Sequence, residues 1–484
     1  MTASASSSQK ARLRLLQAAR SKKTTFCLFT FATLLYIIGT DFNNDSSSTR
    51  ALQNKELELV GEDTASQWNS EGPEQIVPES DRKADEDIRY ASFGTSMTWG
   101  ASLKDRETEA YVKVLSQEKG MNYGIRSSGP NYPLACTHSM MGEEEYDVIV
   151  IEFFAIAFQG LMELVQRLRQ RFPQAIIIIA RLWDPTFLVN KDGTDLRSWG
   201  HQHALGTDFL HKPEFRLMFK ETYKESEWKW SFLTTHKWFV DVQDAAAREV
   251  GAYIVPMEWN QEEAFGEDGF IRLGEKHLGP DSYHLSEYGH ADLARRIKAL
   301  VDRVGVPKEP TMGSFSSADY CLNWFQTGIV EDGLVYSDNA VVGKMPNTEK
   351  YAMSFEGEGE SYIEMTNPSE HTMTFFIAFM TTGPVPCKYP KVEATREDGT
   401  KFFLDPLATP WGANPKQQVH VSRLLEVGEV QPHKTARVTF ESLEEEETEW
   451  PFRLVQVVLT EKADFGKLFG AMPDSGRIMG TSDV

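Results

Sequence analysis

The chain is 484 residues long, about three times the roughly 150 residues of a typical single domain, which favours two folded modules over one core. Its 41% hydrophobic and 25% charged content is that of a globular protein and excludes disorder over most of the length. A formal net charge of -21, with no basic patch interleaved with aromatics in the body of the chain, excludes nucleic acid as a partner.

The first 23 residues depart from that acidity. They carry Lys10, Arg12, Arg14, Arg20, Lys22 and Lys23 and no acidic side chain. From Thr24 to Thr40 no charge occurs, and Phe26, Leu28, Phe29, Phe31, Leu34, Leu35, Tyr36, Ile37 and Ile38 make the run apolar around a whole helical circumference. A bilayer-spanning helix needs roughly 17–25 such residues, so the run is short but sufficient, as suits the thinner membranes of the early secretory pathway. Basic residues ahead of it predict a signal anchor: residues 1–23 as a cytoplasmic tail, 24–40 in the membrane, and the body in the lumen of the Golgi or ER. A cleaved signal peptide and an organelle transit peptide are the two rival readings. Against cleavage, Ile37 and Ile38 stand where small residues are wanted; against a transit peptide, an amphipathic helix needs no such continuous apolar stretch. The sequon Asn44-Asp45-Ser46 follows the run and makes Asn44 a candidate glycosylation site if lumenal.

Residues 41–85, rich in Ser, Asn, Glu and Asp without apolar periodicity, read as a solvated stem. From residue 86 to 308 the pattern becomes an α/β rhythm. Strands are expected at Ile88–Phe93, Val148–Phe154, Ala175–Ala180 and Ala252–Val255. Helices are expected at Glu107–Lys119, from Leu161 to the residue before Pro173, and at Val240–Val250 and His290–Val304. Solid apolar strands of this kind suit a parallel sheet covered by helices on both faces. Residues 313–484 read as all-β, with apolar or alternating runs at Tyr351–Met365, Thr372–Met380, Thr435–Phe440 and Phe452–Leu459, and a β-sandwich is expected. The acidic run Glu444–Glu447 reads as a solvated hairpin tip. Trp324, Trp411 and Trp450 fit core packing better than sugar-stacking platforms.

Cysteines are sparse. Cys27 lies in the apolar run, leaving Cys136, Cys321 and Cys387; if the body is lumenal, Cys321 with Cys387 is the expected disulfide because both fall in the C-terminal module. No Cys/His pair has zinc-ligand spacing, and no Gly-rich phosphate cradle is present, so no metal or cofactor is expected.

Two segments carry chemistry. Ala91-Ser92-Phe93-Gly94-Thr95-Ser96-Met97-Thr98-Trp99-Gly100 places a small-residue turn and a hydroxyl at the carboxyl end of the first strand, where active sites of α/β sheets form. Taken alone, Ser96 fits an N-cap as well as a nucleophile. Gly279-Pro280-Asp281-Ser282-Tyr283-His284-Leu285-Ser286-Glu287-Tyr288-Gly289-His290 lies in a loop ahead of the last helix. With Asp281 and His284 three apart on a turn, the carboxylate can fix one imidazole nitrogen while the other takes a serine proton.

These two blocks resemble those of the SGNH, or GDSL-like, hydrolases. The family's first block is a strand followed by Gly-Asp-Ser with Thr and Gly nearby, matched by Gly94, Ser96, Thr98 and Gly100, with Thr95 in place of a mainly structural Asp. Its last block is Asp-x-x-His-(Pro/Leu)-(Ser/Asn)-x-x-Gly-(His), matched by Asp281, His284, Leu285, Ser286, Gly289 and His290. The resemblance spans residues 86–305 and implies a flavodoxin-like three-layer α/β/α fold with Ser96 as nucleophile, His284 as base and Asp281 as its orienter. It further implies an oxyanion hole built from the Ser96 N–H, a glycine N–H for which Gly129 is preferred over Gly124, and an Asn side chain. The Asn position reads Ile156, so the hole lacks that donor; Asn122, Asn131 and Arg181 are candidate replacements. Glu152 fits either support of the site or a structural acceptor.

Two functions follow as expectations. One is an ester hydrolase or O-acyltransferase acting on O-acetylated glycans through an acyl-serine intermediate. The other is a glycan-binding or scaffolding protein that kept Ser96, Asp281 and His284 but lost turnover with the Asn. A lipid-directed esterase is a third reading and requires an apolar acyl pocket near Ser96.

Overall fold

The computed structural model describes residues 76–461 except for 127, 154–159, 183–187, 191–208, 216, 218–227, 231–234, 258–274, 310, 315–317, 346–349, 384–389, 405–418 and 443–450. The expected membrane run, Asn44, Ile156, Cys387, Trp411, Trp450 and the Glu444–Glu447 tip lie outside the described residues. Among the described residues no helix is long and apolar enough to cross a membrane.

The α/β part comprises β1 (Tyr90–Gly94), α1 (Ser96–Trp99), α2 (Arg106–Glu109), α3 (Tyr111–Leu115), β2 (Gly120–Asn122), α4 (Asn131–Ala135), α5 (Thr137–Met141), β3 (Val148–Glu152), α6 (Leu161–Arg171), β4 (Ile176–Arg181), β5 (Leu188–Asn190), β6 (Trp228–Trp230), α7 (Thr235–Val250), β7 (Tyr253–Pro256) and α8 (Glu287–Val304). Five strands form a parallel sheet in the order β2-β1-β3-β4-β7, and β5 and β6 form a separate antiparallel pair. Numbered within the five-stranded sheet alone this is 2-1-3-4-5, the flavodoxin-like doubly wound order.

The solid apolar strands explain the layering. Successive side chains of a strand point to opposite faces. Val148, Val150, Ile176 and Ile178 therefore enter one core with Tyr111 and Val112 of α3 and Leu293, Ile297, Leu300 and Val301 of α8. Ile149, Ile151, Ile177 and Ile179 enter another with Leu161, Leu164, Val165 and Leu168 of α6 and Ala246 and Ala247 of α7. A three-layer α/β/α stack results. Its last helix starts where Ser286 accepts the Gly289 N–H at 3.1 Å and stops at Gly305, whose φ is 81°.

Two boundaries differ from the sequence reading. The helix expected over Glu107–Lys119 is two short helices broken at Ala110, which is extended at φ -63°, ψ 139°. The Tyr111 N–H donates to His290 Nδ1 at 3.2 Å instead of continuing the helix, so tertiary packing overrides the local periodicity. The stem, expected to run to residue 85, ends earlier. Val77 N–H donates to the Val304 carbonyl at 2.9 Å, Lys83 N–H to the Val306 carbonyl at 2.7 Å, and Lys83 pairs with buried Asp147 at 2.9 Å, which docks this acidic segment on the end of α8.

The C-terminal part is antiparallel throughout: β8 (Asp319–Asn323), β9 (Leu334–Tyr336), β10 (Ala340–Lys344), β11 (Tyr351–Phe355), β12 (Ser361–Thr366), β13 (Met373–Gly383), β14 (Val392–Arg396), β15 (Lys401–Leu404), β16 (Val419–Val430), β17 (Thr435–Ser442) and β18 (Leu454–Glu461). One sheet runs β10-β11-β18-β13-β16 with β8 beside β18, and the other runs β15-β14-β17-β12-β9. The run expected over Tyr351–Met365 is thus two strands, in different sheets. A core of Met373, Phe375, Ile377 and Phe379 from one sheet and Ile363, Val392, Val438 and Phe440 from the other lies between them, and Trp324 is buried in it, with its indole N–H on the Leu454 carbonyl at 2.9 Å.

The alternate residues of β13 join the two parts. Phe376, Ala378 and Met380 share a core with Phe93, Ile149 and Leu164 of the α/β part. Strand β13 is buried on both faces, and both parts lie in one compact unit, Ser70–Val484. The same packing corrects the disulfide expectation. Cys321 of β8 is bonded to Cys136, not to Cys387, across 185 residues of sequence. Sequence position favours pairing within one module, whereas packing of β8 on α5 puts Cys321 beside a cysteine of the other module.

Candidate active site

Strand β1 ends at Gly94, and Thr95 caps α1 by accepting the Met97 N–H at 3.4 Å, so Ser96 opens a helix directly at the sheet's carboxyl edge. Gly94 is required by close approach: a Cβ there would lie 2.0 Å from Thr98 Oγ1 and 2.3 Å from the Glu152 carbonyl oxygen. Glu152 stands beside Gly94 in register at the end of β3 and is fully buried. Its carboxylate accepts the N–H groups of Thr95 and Thr98, each at 3.2 Å, and their hydroxyls at 3.2 and 2.9 Å. This is the structural-acceptor reading of Glu152, and it holds the turn that carries Ser96.

The second half of the site is the turn after Leu278. The Gly279 N–H donates to the His284 carbonyl at 2.7 Å, closing the turn, while His211 Nε2 meets the Gly279 carbonyl at 2.6 Å and the Ser282 hydroxyl accepts the Leu210 N–H at 3.1 Å. Gly289 is required by crowding, since a Cβ would lie 2.3 Å from the His277 carbonyl oxygen.

The two halves meet. His284 Nε2 lies 2.8 Å from Ser96 Oγ, and His284 Nδ1 lies 2.5 Å from Asp281 Oδ2. An ionised carboxylate only accepts, so Nδ1 carries the proton and Nε2 presents its lone pair to the Ser96 hydroxyl. Asp281 Oδ1 accepts the N–H groups of Tyr283 and His284 at 3.1 and 3.0 Å, and Oδ2 also accepts the Ser102 hydroxyl at 3.1 Å. Burial pushes the Asp281 pKa up, but the hydrogen bond and charge of His284 and the two backbone N–H groups outweigh it and hold the carboxyl below the usual carboxylate range. Ser96 is 9% exposed and so largely screened from water.

This arrangement of three side chains on two loops at the carboxyl edge of a 2-1-3-4-5 parallel sheet joins topology and site. The fold is the flavodoxin-like one that the resemblance to SGNH hydrolases implies, and it brings Ser96, His284 and Asp281 together. No family model matches the chain, and no curated protein does. Among solved structures it is similar to a two-domain esterase active on acetylated mannans, at 14% identity over 78% of this chain and 92% of that one, with a TM-score of 0.43. It is also similar to the Clostridium thermocellum family 3 carbohydrate esterase, at 12% identity over 45% of this chain and 99% of that one, TM-score 0.27. A GDSL-like lipase from Bacteroides thetaiotaomicron matches at 11% identity over 46% and 91%, TM-score 0.27. Likeness at this level assigns neither residues nor substrate.

Of the oxyanion-hole candidates, Gly124 is engaged: its N–H donates to Asn122 Oδ1 at 2.9 Å. Asn122 is engaged too, donating to the Thr98 carbonyl at 2.8 Å. Arg181 donates to Gln243 at 2.9 Å and pairs with Asp244 on α7. Asn131 opens α4. Gly129 is buried in the loop after β2. Sequence reasoning missed Ser102, whose φ of 74° is unusual for a residue with a side chain. No local pattern marks it; only the fold brings it to Asp281. Among the described residues no group of His, Cys, Asp and Glu could hold a metal ion.

Proposed function

We propose that the protein is a serine ester hydrolase of SGNH type that cleaves O-acetyl esters on glycans through an acyl-Ser96 intermediate. The observation that carries it is the continuous hydrogen-bonded chain from Ser96 through His284 to Asp281, at 2.8 and 2.5 Å. Ser96 Oγ attacks the ester carbonyl carbon as its proton passes to His284 Nε2, and Asp281 stabilises the imidazolium. The developing oxyanion is met by the Ser96 N–H and the Gly129 N–H, with no Asn contributed at Ile156. The carbon–oxygen bond to the sugar breaks, and the leaving alkoxide takes the proton from His284. Water then gives its proton to the same nitrogen as it attacks the acyl-enzyme, and acetate leaves with Ser96 restored. Attack by a second sugar hydroxyl in place of water makes the same site an acyltransferase.

A lumenal setting for this chemistry is supported by the basic segment ahead of the apolar run at 24–40 and by the Cys136–Cys321 disulfide, a bond that persists in oxidising compartments. We place the protein as a type II membrane protein of the Golgi or ER, glycosylated at Asn44. Acetate release from an O-acetylated polysaccharide, compared with release from p-nitrophenyl acetate, tests the substrate class. Release from both that is abolished in Ser96→Ala supports the reading; turnover of neither by folded protein favours a glycan-binding role.

A further inference from the structure

The loop that carries Gly129 is supported from both parts of the molecule. On the α/β side, the Ser92 and Gly94 carbonyls of β1 accept the N–H groups of Tyr123 and Ile125 at 2.8 and 2.9 Å. On the β-rich side, Gln326 Nε2 donates to the Gly124 carbonyl at 3.0 Å, and Asn323 Nδ2 donates to the buried Tyr132 hydroxyl at 3.0 Å. Asn323 Oδ1 accepts the Phe325 N–H at 2.9 Å, which fixes the turn presenting Gln326. Phe325, 1% exposed, lies in the same core as Ile125 and Tyr132.

Further along the same segment, Cys136 is bonded to Cys321, and fully buried Asp319 accepts the His138 and Ser139 N–H groups at 2.9 and 2.8 Å and pairs with Arg167 at 3.2 Å. These contacts all fall on or beside the continuous stretch 124–139. The stretch begins within the loop that, on the hydrolase reading, supplies an N–H to the developing oxyanion, and with Ile156 in place of an Asn the hole depends more heavily on that loop. A displacement of about 1 Å in such a group can cost on the order of 100-fold in rate.

We propose that the β-rich part is a working element of the active site: through Gln326, Asn323 and the Cys136–Cys321 bond it holds the Gly129 loop in register with Ser96, so that acylation depends on its docking. This rests on the hydrolase reading above. Gln326, Asn323 and Tyr132 are positioning residues, since none reaches the reacting atoms itself.

The test uses the full chain, with p-nitrophenyl acetate turnover, fluorophosphonate labelling of Ser96 and a melting temperature measured for wild type, Gln326→Met, Gln326→Glu, Tyr132→Phe and the Cys136→Ser/Cys321→Ser pair. Gln326→Met keeps the side-chain length and removes the donor; Gln326→Glu adds a charge facing the Gly124 carbonyl. The expected result is kcat lowered about 10- to 100-fold with KM within about twofold, slower labelling, and single-site variants that melt as cooperatively as wild type. Dithiothreitol should slow the wild type and leave the serine pair unchanged. Variants with wild-type kcat and labelling rate, beside an active wild type, overturn the proposal alone. A wild type that neither turns over ester nor labels at Ser96 overturns the hydrolase reading and this proposal with it.

Discussion

Glu152 accepts two hydrogen bonds from Thr98, one from the backbone N–H at 3.2 Å and one from the hydroxyl at 2.9 Å, two residues beyond Ser96. The strand-end carboxylate of β3 thereby fixes the orientation of the helix turn on β1. The family pattern puts a carboxylate inside its Gly-Asp-Ser turn; here Thr95 occupies that place, and the carboxylate in contact with the turn comes from the neighbouring strand.

Glu152→Gln tests that support. The amide puts an NH2 donor where donors already converge, leaving buried N–H and O–H groups without acceptors. We expect a loss of about 2 kcal/mol in unfolding free energy and a fall in kcat of about tenfold or more, measured by urea denaturation and ester turnover. Unchanged kcat would show that the turn holds its shape without the carboxylate.

Ser102 sits at φ 74° and donates to Asp281 at 3.1 Å, so backbone strain and the contact to Asp281 coincide in one residue. Ser102→Gly relieves the strain, by about 1 kcal/mol, and removes the hydrogen bond. The two effects nearly offset each other, so the expected outcome is a melting temperature close to wild type and above that of Ser102→Ala, with kcat reduced severalfold in both. A glycine variant that melts below Ser102→Ala, or unchanged kcat in both, would contradict this account.

His290 is fully buried, and its Nδ1 accepts the Tyr111 N–H. Burial, with a smaller contribution from the nearby His284, pushes its pKa down from 6.5 to about 3. The unfolded chain therefore takes up a proton below about pH 6.5 while the folded chain does not, and stability falls as pH drops through the window from 6.5 to 3. This one group contributes a slope approaching about 1.4 kcal/mol per pH unit. Urea denaturation at pH 7, 6 and 5 should show a shallower decline for His290→Gln than for wild type; parallel declines would count against it.

Phe376 and Phe375 are adjacent on β13 yet enter different cores, one shared with the α/β part and one inside the sandwich. Phe376→Ala should cost about 3–5 kcal/mol and still give one cooperative transition, because both parts share the lost contacts. Two resolved transitions in calorimetry of the wild type would show that the parts unfold separately.

Much of this was legible in the sequence. The apolar runs Val148–Ile151 and Ile176–Ala180 suited a parallel sheet covered on both faces, and the spacing of Asp281 and His284 ahead of an amphipathic helix singled out the histidine that the fold brings to Ser96. The same periodicity could not show that Tyr111 breaks its helix to reach His290, a contact 179 residues away in sequence. Nor could composition place Cys321 beside Cys136, because the β-rich part looked self-contained until both faces of β13 proved buried. Ser102 and Gln326 were silent for a related reason: each makes a single side-chain hydrogen bond that only long-range packing brings about.

Fluorophosphonate labelling of the full chain, with the modified peptide located by mass spectrometry, tests the central claim most directly. Labelling is expected at Ser96 in wild type and is expected to be lost in both Ser96→Ala and His284→Ala. Folded wild-type protein that stays unlabelled, or labelling that survives in His284→Ala at the wild-type rate, would contradict that claim.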